Sequence, residues 1–553
     1  MSSRVWPRPG GGRDLAGAAL LGWLADPAAP RLCLVTGGAQ CGKSRLLAWL
    51  VRHGFRSGTV PERAVHAVAP MDGTRIRAAV WSLSSQLGVT ARTAGDLVSA
   101  LKPDPRRTVI VLPDLHAGVG DPAGFAELVV GLASLKQVRL VVEVRNTNPL
   151  FTALRPTAPA VMDLDETQWN DLVQAEPKLD DHDPLQGYIS PAPDLDVPAS
   201  VCSADPLRVT AGYEAAEADH GGLRTAWLRI GQALLQDQPP VERALLLRTA
   251  LGDAADPRIA PQLADLAAGA EWELFWSRVS GDITPPWPGP VSALALGAGP
   301  IEGQVLLSDH LGVLRTVDLA TVTPRGRLAE PVKGIIALGV LSDGAVLALN
   351  YAGLHVQTPY QTVRTSGLTA LLDDGPTPVE QAIEAVDTTL RGSTPTAMAA
   401  TDERLAVGDA DGSVHAIGLD TPDSTVLTQR LHRGAVNSLA AVTLPLGGDR
   451  ATMVLLYSGG ADGCVRAWAP GHEPQEAPVT ERPYPVTSLS AAHTTDGPLL
   501  AIAWGDGLIG YHRLDSGEAA FLGPGLRANG VMVTADGDLV VGTNEAVFRL
   551  APR

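Results

Sequence analysis

Residues Gly37 to Ser44 read GGAQCGKS and fill every required position of the phosphate-binding pattern G-x-x-x-x-G-K-[ST]. Glycine at both ends lets backbone N–H groups close around phosphate oxygens, and the start of a helix adds its partial positive charge. Gly37, Gly38, Ala39, Gln40, Cys41, Gly42, Lys43 and Ser44 are therefore the expected nucleotide contacts. Lys43 has the reach for the β- and γ-phosphates of ATP or another nucleoside triphosphate, and the Ser44 hydroxyl suits Mg2+. Such a loop works only between a strand and a helix. An apolar run (Leu32, Cys33, Leu34, Val35) precedes it, and an amphipathic stretch (Leu46, Leu47, Trp49, Leu50) follows.

The surrounding pattern supplies the elements that position it. Apolar runs recur at Leu32–Thr36, Ala64–Val68, Thr108–Leu112, Val138–Val144 and Ala160–Leu164. Helix-period segments lie between them: Arg45–Arg52, Thr74–Leu87, Ala94–Leu101 and Ala123–Leu135. Strands alternating with helices predict a parallel sheet covered on both faces, with its ligand crevice at the carboxyl ends of the strands. The third strand ends in Asp114, a carboxylate placed to hold the Mg2+ that Ser44 touches, or else to open a surface turn. The fourth ends in Arg145 and Asn146, which suit either a γ-phosphate contact or an ion pair.

Composition narrows the partners. The chain has 553 residues, enough for two to four domains, and a net charge of −17. It has only five lysines, so the clustered cations that release counterions from nucleic acid are missing. Cys33, Cys41, Cys202 and Cys464 have no paired or metal-ligand spacing, which predicts a reduced, cytoplasmic protein. Oxidation of Cys41 would block the loop, although a small residue filling the turn is the simpler role. No apolar stretch reaches the length of a membrane span, so no membrane partner is expected.

On these residues the first 170 positions resemble the STAND class of signal-transduction ATPases, within the AAA-like P-loop NTPases. The opening GGGRDLAGAALLGWL is similar to that class's Gly-Arg-acidic helix. The resemblance places its Gly12 and Arg13 beside the adenine. Met71-Asp72-Gly73-Thr74 and a helix ending Leu87-Gly88 fit as well. Hydrolysing members carry a second acid just behind the Asp114 position, but this chain reads Pro113-Asp114-Leu115-His116-Ala117. His116 or Glu143 can orient water in its place, or the nucleotide stays unhydrolysed as a structural ligand.

Residues 171–221 are rich in Asp and Pro and read as a solvated linker; His182 there sits among acids with no ligand partners in sequence. A helical module follows at 222–270, with periodic segments Leu223–Leu235, Val241–Leu251 and Ile259–Ala268. The resemblance implies that a module at this place moves against the nucleotide domain; a spacer with a packed face is the alternative. From 271 to 553 the period changes to two. A unit recurs whose turn glycines Gly312, Gly353, Gly412, Gly463 and Gly507 lie about 40–60 residues apart, the mark of a β-propeller. Six units are visible and a seventh is possible, with a helical insert at PVEQAIEAVDTTL. The units are similar to WD repeats, best at Gly460-Ala461-Asp462-Gly463 through Trp468. The segment before unit one, Glu271–Val279, is expected to close the ring as the outer strand of the last blade.

The fold class read here is therefore an α/β nucleotide-binding domain, a small α-helical module and an all-β propeller. The expected function is a nucleotide-switched signalling or scaffold protein. Its propeller docks a protein, and its output is a separate effector or an oligomer of its own chain. A constitutive interaction module and a propeller with an axial sugar-binding or hydrolytic site are the other readings.

Overall fold

The computed structural model describes residues 8–9, 11–56, 59–169, 192–284, 287, 289–328, 331–357, 376–390, 392–419, 425–446, 452–523, 525 and 527–553. They fall into two compact units, Met1–Leu195 with Ala204–Glu217, and Asp196–Ser203 with Ala218–Arg553.

The first unit is built on five strands: β1 (Leu32–Thr36), β2 (Ala67–Val68), β3 (Thr108–Leu112), β4 (Val138–Glu143) and β5 (Ala160–Asp163). All pairings are parallel, in the order β2-β3-β4-β1-β5. Its helices are α1 (Asp14–Ala25), α2 (Lys43–Gly54), α3 (Ile76–Leu87), α4 (Ala94–Leu101), α5 (Pro122–Ala133) and α6 (Pro149–Leu154). Successive strand residues point to opposite faces, so the near-continuous apolar strands feed two cores. Leu34, Ile110, Leu112 and Val142 pack with Val80, Leu97, Leu128 and Leu150 of α3 to α6. Cys33, Val35, Val111 and Val141 pack with Leu20 of α1 and Leu46 and Leu50 of α2. Each such side chain, fully buried, contributes about 1.5–3 kcal/mol. Local chemistry sets the helix ends. Thr93 and Asp96 cap α4 reciprocally, and α3 stops at Gly88, whose φ of 65° a side chain would resist.

Part of the stretch read as a linker is helical: α7 (Pro198–Ser203) and α8 (Pro206–Ala215). The prolines that looked like breakers are first-turn residues, where no N–H is needed, and Asp205 caps α8 by accepting from Arg208 N at 3.0 Å. The remainder of that linker, with His182, lies outside the described residues.

In the second unit, α9 (Leu223–Leu234), α10 (Pro240–Thr249) and α11 (Ile259–Leu266) precede six sheets. The blades span residues 291–327, 337–357, 395–430, 436–481, 486–522 and 528–552. No seventh sheet occurs among the described residues. The strand Trp272–Val279 pairs antiparallel with Ala546–Pro552 and so completes the sixth blade with a segment that precedes the first. This closure gives the sixth blade its fourth, outermost strand and pairs the edge of Ala546–Pro552. Trp272 locks it: the indole is 1% exposed, donates to Phe521 O at 3.0 Å and meets Tyr511 edge-on. The helices are bonded to the same seam. Arg229 bridges Ala250 O and Ser280 O, while Asp253 accepts from the backbone N–H groups of Ile283 and Thr284. The expected insert forms the helix Pro378–Thr389, whose Ala382 and Val386 pack against Leu347, Leu349, Leu405 and Val407.

Six inner strands meet at the axis, and crowding there selects small residues. The third positions of five of them are Ala293, Ala397, Ser438, Ser488 and Gly530, which with Ala337 at the start of the remaining inner strand line a cavity of about 70 Å³. In five blades a register shift precedes that position. The polar residues here stitch neighbouring blades together. Ser438 and Ser488 hydroxyls accept from Leu489 N (2.8 Å) and Val531 N (3.0 Å), and Asn437 and Asn529 donate to Val486 O and Val291 O.

At the outer turns, Asp309 and Asp409 each accept from two backbone N–H groups. In the fourth blade His432 sits between Asp462 and Ser458, at 2.9 Å from each. Burial pushes Asp462 up, but the hydrogen bonds from His432 and Arg433 N outweigh it and hold the carboxyl at about 2. In the fifth, Arg482 takes the histidine's place with two bonds to Asp506 and stacks over Tyr484 and Trp504. Trp468 and Trp504 are buried blade core.

Candidate nucleotide site

The fully buried strand β1 delivers the chain to Thr36, and the backbone then turns inward. Gly37 (φ 135°), Gln40 (φ 61°) and Gly42 (φ 90°) adopt positive φ, and a Cβ on Gly37 would lie 2.7 Å from the Cys41 thiol. Alternating left- and right-handed residues aim successive N–H groups into one concavity. Gly42 is the N-cap of α2 and no side chain caps that end, so the first-turn N–H groups face the loop. Lys43 is 5% exposed, and its ammonium donates to Gly37 O (3.0 Å) and Gly38 O (2.6 Å).

Two groups outside the motif brace the loop. The Asp165 carboxylate, just past β5, accepts from Gly38 N at 2.7 Å. Arg13 donates to Cys41 O (2.5 Å), Leu164 O (2.9 Å) and Trp169 O (3.3 Å), fastening the start of α1 to the loop and to the chain after β5. Gly12 beside it turns at a φ of 70°. Asp165 was not singled out from sequence. The available signal was an acid pair, Asp163 and Asp165, at the end of a strand that flanks β1.

The sheet order decides which carboxylate meets Ser44. β4 lies between β1 and β3, and Glu143 is in register with Val35, one residue short of the end of β1. The Ser44 hydroxyl donates to Glu143 Oε1 at 3.2 Å, whereas Asp114, two strands from β1, meets Glu143 through its backbone N–H. Burial, then the nearby Asp114 charge, pushes the Glu143 carboxyl up to about 7, against the opposing pull of the Ser44 bond and Lys43. Asp114 is half-buried and holds a φ of 53°, a strained value for a residue with a side chain. His116 follows in a one-turn helix, and burial, then the Arg145 charge, lower its pKa. Arg145 itself is exposed.

Three buried polar atoms at these strand ends have no protein partner: Thr36 Oγ1, His116 Nδ1 and Glu143 Oε2. Unpaired buried groups cost about 1–3 kcal/mol each. Ser44, Asp114 and Glu143 offer hard oxygens of the kind Mg2+ prefers. No group of three or more His, Cys, Asp or Glu able to hold a metal occurs among the described residues. A magnesium here would therefore need phosphate oxygens and water to complete its shell. A cavity of about 840 Å³ lies elsewhere, between the strand Gly353–Gln357 and the helix Pro378–Thr389. Its lining includes His355, Glu384 and Asp387 but neither a glycine loop nor a paired hydroxyl and carboxylate, so size does not identify the site.

No model of a known protein family matches the chain, and no curated protein is similar to it in sequence. No helix among the described residues is long and apolar enough to cross a membrane.

Proposed function

We propose that the α/β unit binds ATP with Mg2+ and that the chain acts as a nucleotide-switched signalling or scaffold protein of STAND type. In this reading the backbone N–H groups of the loop and Lys43 hold the phosphates, while Ser44 and Asp114 hold the ion. Arg145 is the exposed cation for a γ-phosphate. Nucleotide that touches these groups in one domain arrangement more than in another shifts the population between them. The output is docking of a protein partner by WD-repeat-like blades, with self-assembly on ATP binding as its further form.

The observation that carries the nucleotide reading is the loop itself, with positive φ at Gly37, Gln40 and Gly42 and the uncapped N-terminus of α2, followed by the Ser44 hydroxyl on Glu143. Size bears on the axial reading alone. Small-molecule pockets run to about 300–1,000 Å³. The axial cavity of about 70 Å³ is far below that, which disfavours a sugar or substrate on the axis. Leu311 and Tyr351 stand exposed at turn tips of the first two blades.

Titration calorimetry on the full chain tests the first half. Lys43→Ala is expected to weaken ATP binding by about 100-fold, the worth of charge-assisted bonds to phosphate. Equal affinity in the variant and the parent rules the site assignment out.

A further inference from the structure

We infer that the second blade takes a basic peptide as its fourth strand, in the groove between Gly353–Gln357 and the helix Pro378–Thr389. This rests on the reading that the propeller docks a protein, and it names the place and the chemistry of the partner. Five of the six propeller sheets have four strands, whereas the second has three and ends at Gly353–Gln357. No strand among the described residues pairs with the outer side of that segment. An unpaired edge offers a row of N–H and C=O groups to any extended chain, and lysine or proline commonly blunts it. Gly353-Leu354-His355-Val356-Gln357 contains neither.

What faces the edge selects the partner. The space between strand and helix, about 840 Å³, is lined by three carboxylates, Glu380, Glu384 and Asp387, against one ammonium, Lys333. Glu380 also caps its helix, accepting from Thr377 N at 2.8 Å. Glu384 and Asp387 are exposed, and no hydrogen bond engages either carboxylate among the described residues. Asp387 lies against the strand: a Cβ on Gly353 would be 3.8 Å from its Oδ1. His355 Nε2, from the middle of the edge strand, is buried with no partner among the described residues.

The spacing suits an added strand. At about 1.5 Å per helical residue, Glu380 to Asp387 covers roughly 10 Å of the helix. Alternate residues of a strand point to one side about 6.5 Å apart, so two lysines or arginines separated by one residue reach this face together. An acidic strand would bond the same edge but meet like charge at Glu384 and Asp387, which excludes it.

The test adds a short fluorescent peptide of alternating lysine and threonine to the full chain. Anisotropy gives its affinity, and hydrogen exchange in the parent chain gives the place of binding without any variant. Binding is expected to slow exchange at residues 353–357. The pair Glu384→Gln with Asp387→Asn is expected to weaken affinity about tenfold. Glu518→Gln, at an exposed acid of the fifth blade, is expected to leave it unchanged, which separates the groove from the general pull of a chain with net charge −17. Spermine, a cation without peptide groups, is expected to bind at least about tenfold more weakly. Equal affinity in the double variant, or no slowing at 353–357, overturns the inference. So does spermine that matches the peptide, which leaves a cation site only. Exchange at 353–357 as slow as at Val346–Asn350 before peptide is added shows that the chain itself covers the edge, and this also overturns it. A protein from cell extract held equally by the parent and the double variant overturns the groove and leaves docking by the propeller standing. A parent chain that holds neither a protein nor the peptide overturns both.

Discussion

The carboxyl ends of β1, β3 and β4 and the axis of the propeller bury similar polar groups and treat them in opposite ways. Around the phosphate loop, Thr36, His116 and Glu143 each keep an atom without a partner. Along the axis, Ser438, Ser488, Asn437 and Asn529 give or accept bonds across every blade boundary they touch. The axis satisfies its crowded polar groups across blade boundaries, and the strand ends beside the loop leave theirs open. Backbone strain follows the same division. Gln40 and Asp114, two of the five non-glycine residues with positive φ, are at the phosphate loop and its neighbouring strand end.

This contrast can be broken most forcefully at the seam of the propeller. Trp272→Ala removes a buried indole, its bond to Phe521 O and its contact with Tyr511. A loss of about 3–5 kcal/mol is expected. Denaturant unfolding should register it in the propeller unit, with ATP affinity unchanged.

A second measurement sharpens the site end. The Glu143 carboxyl rises from 4.5 to about 7 on folding, so the folded state holds its proton more tightly than the unfolded chain. Its contribution to stability is fully present below pH 4.5 and is lost as pH climbs through about 7. The α/β unit is therefore expected to lose stability between those values, and Glu143→Gln to flatten that slope in melts run across the range. An unchanged slope in the variant places the proton on another group.

The smallest effect belongs to the axis. Ser488→Ala leaves Val531 N without its acceptor in a buried place. It should destabilise the propeller by about 1–3 kcal/mol, read by chemical denaturation. The two deletions then move stability in opposite directions near pH 8: Glu143→Gln upward, Ser488→Ala downward.

Much of this organisation is legible in the residues themselves because it is local. β1 and β3 begin and end where the apolar runs do, and α4 spans its periodic segment from Ala94 to Leu101. The closing strand was readable at Trp272 because a period-two aromatic segment with no unit of its own needs a partner. The helix Pro206–Ala215 was hidden because Asp and Pro signal both a loop and a helix start. Nothing in the alternation of strands states their lateral order. From the chain alone Asp114 stood nearest the Ser44 hydroxyl by motif, and Glu143 was one of two candidates for holding water.

Sequence alone determined the phosphate loop, the two-sided parallel sheet and the repeating blades, since each follows from residue type and spacing over a few turns of chain. Only the tertiary structure decided that β4 is inserted between β1 and β3, which sets Glu143 against Ser44 and Asp114 behind it. Strand order is settled by how helices pack across the whole sheet, a long-range choice that no local pattern encodes.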